Sequence, residues 1–509
     1  MTKSKLFNHR PFVYLALSVL LSLFISSLYV YYKLEVALIF LLVVSAIFLI
    51  FIIVFLRRKH LNSLVITILM LTIFLIVGGR LISIRYNYSK IDLCGENYFT
   101  GQIQSVEDYN MPYENVGCII IASGSVKSHK VKVYLKITKT CDVYVGNKIS
   151  FTGDFTKNTL IKNGIVNLNP LISKVYYTAN SIKNLTISSQ IYGVFNKIKY
   201  KILIGFKNAF LKNYGIAYAM ITGDTSYIND SMLSNYRYMG ISHVFAVSGL
   251  HIGFLSSLIF FILKLLRVDG LKKFIIIFFT LLLYVAFCGF SPSCMRAFII
   301  ISVVAFCNIL KLKPDRFSAL SLAFIVVMIL NPFDFYSIGF RLSFAVYSAI
   351  VFLRKPLKDF LSRFLFDNVA EFVSLSLIAS LISFPILLDG FSYVSAFSIL
   401  FNIIFVLILG FNYILTFIVA ISTLFVSFYE VLAILPNIIF TFVNGCTNII
   451  ETRLFILRSF VFGVSVVPYY LIAVVNCGFF ALSIKTKRLI SYISIIVFIL
   501  SIIVVNIYV

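Results

Sequence analysis

Long apolar runs dominate this chain, and one segment with a different rhythm, residues 90–185, interrupts them. Runs of roughly 20 apolar residues are long enough to cross the ~30 Å hydrocarbon core of a bilayer as helices. Three come first, at 11–32, 34–56 and 64–84. A second block holds runs at 243–266, 274–288, 295–310, 317–330, 338–353, 370–388, 394–409, 411–428, 464–484 and 489–508. Residues 90–185 carry short β-rich pieces instead, FTGQIQSV, GCIIIAS, VKVYLKIT and YVGNKISFTGDF, separated by turn-forming residues. VKVYLKIT alternates apolar and polar positions, the mark of a half-buried strand. Several short strands in so little chain suit a small barrel such as an OB-fold. A generic extracytoplasmic β-domain fits the strand count equally.

Two further segments have their own periodicity. Ile191, Phe195, Ile198, Ile202, Phe206 and Ala209 recur at helical spacing, with Lys197, Lys201, Asn208 and Lys212 elsewhere on the wheel. That predicts a basic amphipathic helix over 191–214, lying in the interface, its lysines reaching lipid phosphates or, less readily, nucleic-acid phosphates. Between 430 and 462, Asn437, Thr441, Asn444, Asn448 and Glu451 form a single polar stripe on a helix. Such a helix is expected to line a wet path or to lie flat on the outer surface, not to span simply. The pattern therefore reads as mainly α: a polytopic helical membrane protein with a small extracytoplasmic, OB-like β-barrel. Its expected parts are a three-span segment (1–86), the β-rich domain (87–190), the basic helix with a polar connector (191–242) and a multi-span domain (243–509).

Composition agrees with this reading. The chain is 60% hydrophobic and only 12% charged, with a mean hydropathy of +1.00, whereas a soluble protein has about a quarter charged residues. The first run is too long for the apolar core of a signal peptide and lacks an evident cleavage site, so it reads as a retained span. Trp is absent, which leaves Tyr29, Tyr31, Tyr32, Tyr469 and Tyr470 as interfacial anchors. Much of the +25 net charge sets topology. Arg57, Arg58 and Lys59, the cluster Lys264 to Lys273, then Lys311, Lys313 and Arg316, then Arg354, Lys355, Lys358 and Arg363, and finally Lys485, Lys487 and Arg488 mark cytoplasmic loops. The loops around Ser291, Pro332 and Gly390 carry almost no such charge, so the β-rich domain and the start of the 243–266 run face outward. Disulfides form in that compartment. Cys118 and Cys141, on neighbouring candidate strands, form a candidate bridge, with Cys94 as the other available partner. The 8 Cys and 5 His show no metal-ligand spacing, so neither a metal nor a cofactor is expected.

Several side chains are polar against the cost of membrane burial: His243, Ser248, His251, Arg296, Arg341, Glu371, Asp389 and Asn402. Arg296 and Arg341 lie near the outer ends of their runs. They either snorkel to the interface or form a cationic entrance for an anion, because the guanidinium fork fits phosphate. Gly249, Gly253, Gly289 and Gly339 allow either tight helix packing or, with Pro292, Pro332 and Pro385, broken helices around a cavity. An intramembrane hydrolase built on Ser248, His251 and Asp224 is a weaker alternative, since a base usually reaches its nucleophile from another segment. Outside the membrane, Lys130, Lys132, Tyr134 and Lys136 lie two apart and so share one strand face. That face is a candidate DNA-binding track, or an ordinary solvated one. No phosphate-cradling loop is present, so any driving force comes from elsewhere.

The segment GISHVFAVSGLHIG, Gly240 to Gly253, resembles a signature of the ComEC family, the inner-membrane channel of bacterial natural transformation. TGDTS (Thr222 to Ser226), SPSCMRAF, NPFDFYSIGFRLSFAVYSAI and FPILLDGFSYVSAFSILFN are similar to further motifs of that family, in the same order. The resemblance implies a bacterial inner-membrane, multi-pass protein that passes single-stranded DNA into the cytoplasm. It also implies an external DNA receptor, a cytosolic DNA-translocating motor and a separate nuclease as partners. His243, Ser248, His251 and Arg296 would belong to the pathway or its gate, with Gly249, Arg341, Glu371, Asp389 and Asn402 as further candidates. Arg341 stands where the family often has Gln, which implies a more cationic vestibule. The metallo-β-lactamase-like domain of many members is expected to be missing, since no His-x-His-x-Asp-His occurs in the sequence. A transporter for a smaller anionic solute is the alternative reading.

Overall fold

The computed structural model describes residues 10–458 except 32–33, 58–60, 111–115, 128, 139–142, 160, 163–164, 167, 246, 392, 396–397, 427 and 450–455. The expected spans 464–484 and 489–508 lie outside the described residues, as do Cys141, Glu451 and the side chains of Cys118, Asp389 and Asn448.

Three helices open the chain: α1 (Pro11–Tyr31), α2 (Leu34–Arg57) and α3 (Leu61–Lys90). The strands β1 (Gly95–Asn110), β2 (Val116–Val126), β3 (His129–Thr138) and β4 (Asn147–Lys157) follow, then the short hairpin β5 (Ile161–Lys162) and β6 (Ile165–Val166), the single turn α4 (Asn169–Ser173) and β7 (Val175–Ile191). The long strands close into a barrel in the order β1-β2-β3-β7-β4. β3 and β7 pair in parallel, and the other neighbours are antiparallel. That is the five-stranded Greek-key closure of an OB-like barrel. Its interior is apolar because alternate residues point inward: Phe99, Ile103, Val131, Val133, Leu135, Phe151, Phe155 and Tyr177 are all buried there.

The helical part continues with α5 (Val194–Phe210), α6 (Tyr214–Thr222), α7 (Asp230–Tyr238), α8 (Gly249–Leu265), α9 (Gly270–Phe287), α10 (Pro292–Ile309), α11 (Arg316–Leu330), α12 (Ile338–Leu361) and α13 (Asp367–Phe391). A strand β8 (Tyr393–Ser395) precedes α14 (Ser398–Phe425) and α15 (Tyr429–Ile449), and β9 (Ile456–Arg458) pairs with β8. Among the described residues, 7 helices are long and apolar enough to cross a membrane by length and composition, the last being Tyr429–Thr447. The barrel sits at the end of the bundle where α3 finishes. Lys157 donates to the Ile91 carbonyl at 2.7 Å, Tyr144 meets Tyr200 of α5 ring to ring at 4.8 Å, and α4 touches the turn Pro332–Tyr336 that follows α11. At the opposite end, Arg10 before α1 pairs with Asp315 before α11 at 2.9 Å.

Four expectations are corrected. The runs 394–409 and 411–428 are not separate spans but the single helix α14; Gly410 between them lies against Phe254 of α8, where a Cβ would come within 2.7 Å of the ring. The residues 191–214 do not form a helix that rests its apolar face on lipid. Ile191 ends β7, and the apolar face of α5, with Ile202, Leu203, Phe206 and Phe210, is buried against α14 and α15. Gly205 permits this contact, since a Cβ there would lie 2.6 Å from Thr423. Pro385 does not break its helix, because α13 continues through it. Finally, the 243–266 run starts its helix only at Gly249, after a separate turn at Ser242–Val244.

Candidate functional site

The start of α8 is held by its own first residues. Ser248 is the N-cap: its Oγ accepts from the Leu250 backbone N–H at 3.2 Å. The Ser248 N–H in turn donates to Nδ1 of His251 at 3.1 Å, which completes a capping box with a histidine in the place usually taken by Glu or Gln. Because Nδ1 accepts, this geometry assigns the ring proton to Nε2. His251 is buried, and its ring meets Tyr413 of α14 edge-on at 4.6 Å. The Tyr413 hydroxyl donates to that of Tyr284 at 3.1 Å, and Tyr284 donates to the Ile221 carbonyl at 3.0 Å. A satisfied polar chain of this kind rigidifies a core. Asp224, the third member of the hydrolase alternative, accepts from the Ser226 N–H at 3.1 Å and from the Ser226 hydroxyl. His243 contacts the Gly240 carbonyl at 3.2 Å.

Arg296, in the second turn of α10, meets this cap. It is 9% exposed, so it does not snorkel. Its Nη1 donates to the Ser343 carbonyl of α12, and its Cζ lies 5.0 Å over the Tyr347 ring. Its Nη2 occupies the space beside Gly249, where a Cβ would come within 2.3 Å. Gly249 is therefore required by the guanidinium. The other three glycines have open space around them and do not pack tightly. Among the described residues no carboxylate forms an ion pair with Arg296, and its Nε is buried without a hydrogen-bond partner. A buried cation in this condition costs several kcal/mol. The Ser-Gly-Leu-His turn, the Arg-Ala helix start and the Leu-Ser-Phe helix thus converge on one guanidinium.

The remaining candidates are dispersed. Arg341 lines a different space, an apolar cavity of about 450 Å³ between α1, α11, α12 and α13, together with Phe335, Phe344 and Pro385. Glu371 pairs with Arg354 and, at 3.4 Å, with Lys358. Arg354 is 13 residues beyond Arg341 on α12, hence about 20 Å further along the axis. Asn402 lies near the start of α14, with its Oδ1 buried and, among the described residues, unbonded. Asp389 falls in the last turn of α13. Glu371 and Arg341 are thus engaged away from Arg296.

The polar stripe of α15 has a different partner from the one expected. Asn213, in the turn Leu211–Asn213, donates to Asn437 at 2.8 Å and to Thr441 at 2.9 Å, and accepts from Asn444 at 2.7 Å. Tyr236 of α7 donates to Asn444. The described part of the stripe is therefore tied by hydrogen bonds to Asn213 and Tyr236, with Asn444 buried, Asn437 half-buried and Thr441 exposed. Nothing in the sequence singled out Asn213, because a lone Asn after an amphipathic helix looks like a solvated end.

On the barrel, Lys130, Lys132, Tyr134 and Lys136 alternate with the buried Val131, Val133, Leu135 and Ile137 and occupy the outer face of β3. Partial burial, and then the neighbouring Lys174, hold the Lys132 ammonium below the usual lysine range.

These features define a multi-spanning membrane protein with an OB-like barrel over one end and a buried arginine at the convergence of its polar motifs. A family described as competence protein matches residues 220–489, more than half of the chain. The chain belongs to this family, the ComEC competence domain anticipated above. It is similar to ComE operon protein 3 of Bacillus subtilis (strain 168), 32% identical over 242 residues, covering 45% of this chain and 29% of that protein. It is also similar to uncharacterized protein MG316 of Mycoplasma genitalium, 31% identical over 177 residues, covering 35% of this chain and 44% of that one. The chain thus spans less than half the length of these relatives. No solved structure matches it.

Proposed function

We propose that this protein is an inner-membrane channel that passes single-stranded DNA into the cytoplasm during natural transformation. The carrying observation is Arg296: a buried guanidinium with no carboxylate partner among the described residues, held between Gly249, Ser343 and Tyr347. A fixed, uncompensated cation attracts phosphate, and arginine recognises it through its planar fork. The basic outer face of β3 suits a strand that first lies on the barrel, because OB-type faces combine basic tracks with aromatic stacking. In this reading the barrel is extracytoplasmic, an outer receptor delivers the DNA, a cytosolic motor draws it in and a separate nuclease removes the other strand. His243, Ser248, Gly249 and His251 shape the gate beside Arg296. Family membership supports a role in DNA uptake and transport over catalysis.

The test is a deletion strain complemented with Arg296→Gln or Arg296→Lys, with labelled DNA scored separately outside and inside the cytoplasmic membrane. Outer capture should persist in both strains. Cytoplasmic entry should fall at least tenfold with Gln and less with Lys. Equal entry in wild type and both variants would refute the phosphate role. Loss of a small anion's uptake with normal DNA entry would favour the smaller-solute transporter.

A further inference from the structure

The cavity beside Arg341 has one charged end and one apolar end. It follows α12 from Phe340 to Ser348, about 12 Å of helix. α11 runs antiparallel to that stretch: Phe324 meets Phe340 and Phe344, each at 6.0 Å between ring centres, and Phe317 meets Phe352 at 5.0 Å. Arg341, in the first turn of α12, thus marks the end nearer the turn Pro332–Tyr336, which α4 of the barrel touches. Ser321 and Ser348 also line the space, but their hydroxyls donate to the Phe317 and Phe344 carbonyls of their own helices at 3.0 and 2.6 Å. The guanidinium is therefore the one charged group among the lining residues, and no carboxylate is among them. Leu17 and Leu20 of α1 line the cavity as well, yet are 45% and 40% exposed. The space consequently opens on the outer surface of the bundle, where the surrounding medium is hydrocarbon.

We propose that this cavity binds an anionic phospholipid, with one acyl chain between the helices and the headgroup phosphate on Arg341. Water is a poor occupant, since it needs several polar partners and the walls are apolar. An empty space would forfeit the dispersion contacts of those walls. A lipid chain is the solute abundant at this depth, and about 450 Å³ falls within the ~300–1,000 Å³ of small-molecule sites. The guanidinium fork matches a phosphate. Its five N–H donors allow it to hold a headgroup together with bonds inside the bundle. A zwitterionic lipid would bring its own cation up to the arginine, with no carboxylate in the lining to offset it; an anionic headgroup brings none. Because α1 forms one wall and α11, α12 and α13 the others, the bound lipid ties the first three-helix segment to the second helical block.

The chain has no Trp, so a single introduced one reports only its own surroundings. Phe324→Trp places the reporter in the cavity wall. Phe279→Trp, midway along α9 at a position 56% exposed, is the control against bulk chains. Each full-length variant is reconstituted in phosphatidylcholine vesicles containing a minor fraction of phosphatidylglycerol with brominated chains, which quench Trp on contact. The cavity reporter should be quenched as if that lipid were enriched about fivefold over the bulk, the preference that one cation near an anionic headgroup confers. The control should follow the bulk fraction, and brominated phosphatidylcholine at the same fraction should give no excess at either position. Arg341→Gln should remove the excess. So should Ala345→Phe, which fills the cavity and keeps the arginine, so the test does not depend on how well the arginine variant folds. Equal quenching of both reporters by brominated phosphatidylglycerol overturns the proposal. An excess that survives Arg341→Gln, or that phosphatidylcholine matches, overturns it too, because chains would then enter without headgroup recognition. So does a cavity reporter quenched less than the control by every lipid, because the space would then be filled from within the protein.

Discussion

Replacing Gly249 by alanine tests the packing at the convergence point directly. The position has no left-handed backbone angle, so alanine fits the chain and gains at most about 1 kcal/mol of helix propensity. The new methyl, however, would lie 2.3 Å from Nη2 of Arg296 and 3.5 Å from Ala297. The far end of the arginine must move, and two interactions suffer. The charged hydrogen bond to the Ser343 carbonyl is worth about 1.5–3 kcal/mol, and the desolvated contact over Tyr347 up to about 2 kcal/mol. Gly249→Ala should therefore destabilise by about 1–4 kcal/mol. In an Arg296→Met background the obstructing atom is absent, and the same change should be neutral or stabilise by up to about 1 kcal/mol. Arg296→Met alone should be neutral or stabilising, since it removes an unpaired buried charge. The chain has no Trp, so unfolding is best followed with a thiol-reactive dye, for which buried Cys294 reports opening of the core. If Gly249→Ala costs the same in both backgrounds, the arginine is not what requires the glycine and the argument fails.

Asn213→Ala should cost about 3 kcal/mol, because it leaves Asn437 Oδ1 and Asn444 Nδ2 without their Asn213 partner inside the bundle; the same thiol-dye unfolding assay reads it, and a loss within error would mean the ladder is not closed in the membrane. Gly205→Val should destabilise by about 1–3 kcal/mol through the Thr423 contact, and a Thr423→Ala background should recover part of that loss. Glu371→Gln should cost no more than about 1 kcal/mol, since its partners are partly exposed and screened, and the cost should shrink further in high salt. If single strands track the β3 face, replacing Lys130, Lys132 and Lys136 by Gln should reduce the salt slope of binding by about 2, from about 0.7 per phosphate contact; an unchanged slope in filter-binding titrations would move the DNA track elsewhere.

The division of labour between sequence and tertiary structure is visible residue by residue. Apolar run length announced the helical membrane class, because the bilayer imposes one length on every crossing segment. Alternation through KVKVYLKIT placed Lys130, Lys132, Tyr134 and Lys136 on one face, because a strand's period of two is local. The capping box of Ser248 and His251 is equally local, made within four residues, yet run length placed the start of this segment at His243, six residues before the helix begins at Gly249. What each polar side chain met was not legible. Glu371 found Arg354 and Lys358, the α15 stripe found Asn213, and Gly249 made room for an arginine 47 positions away. Run length also misjudged the 394–428 region, where Gly410 divides the sequence pattern but not the helix. Local patterns specify which backbone conformation forms and which face is apolar. Whether a polar group lines water or bonds another helix depends on partners far away in the chain, and only packing in three dimensions selects them.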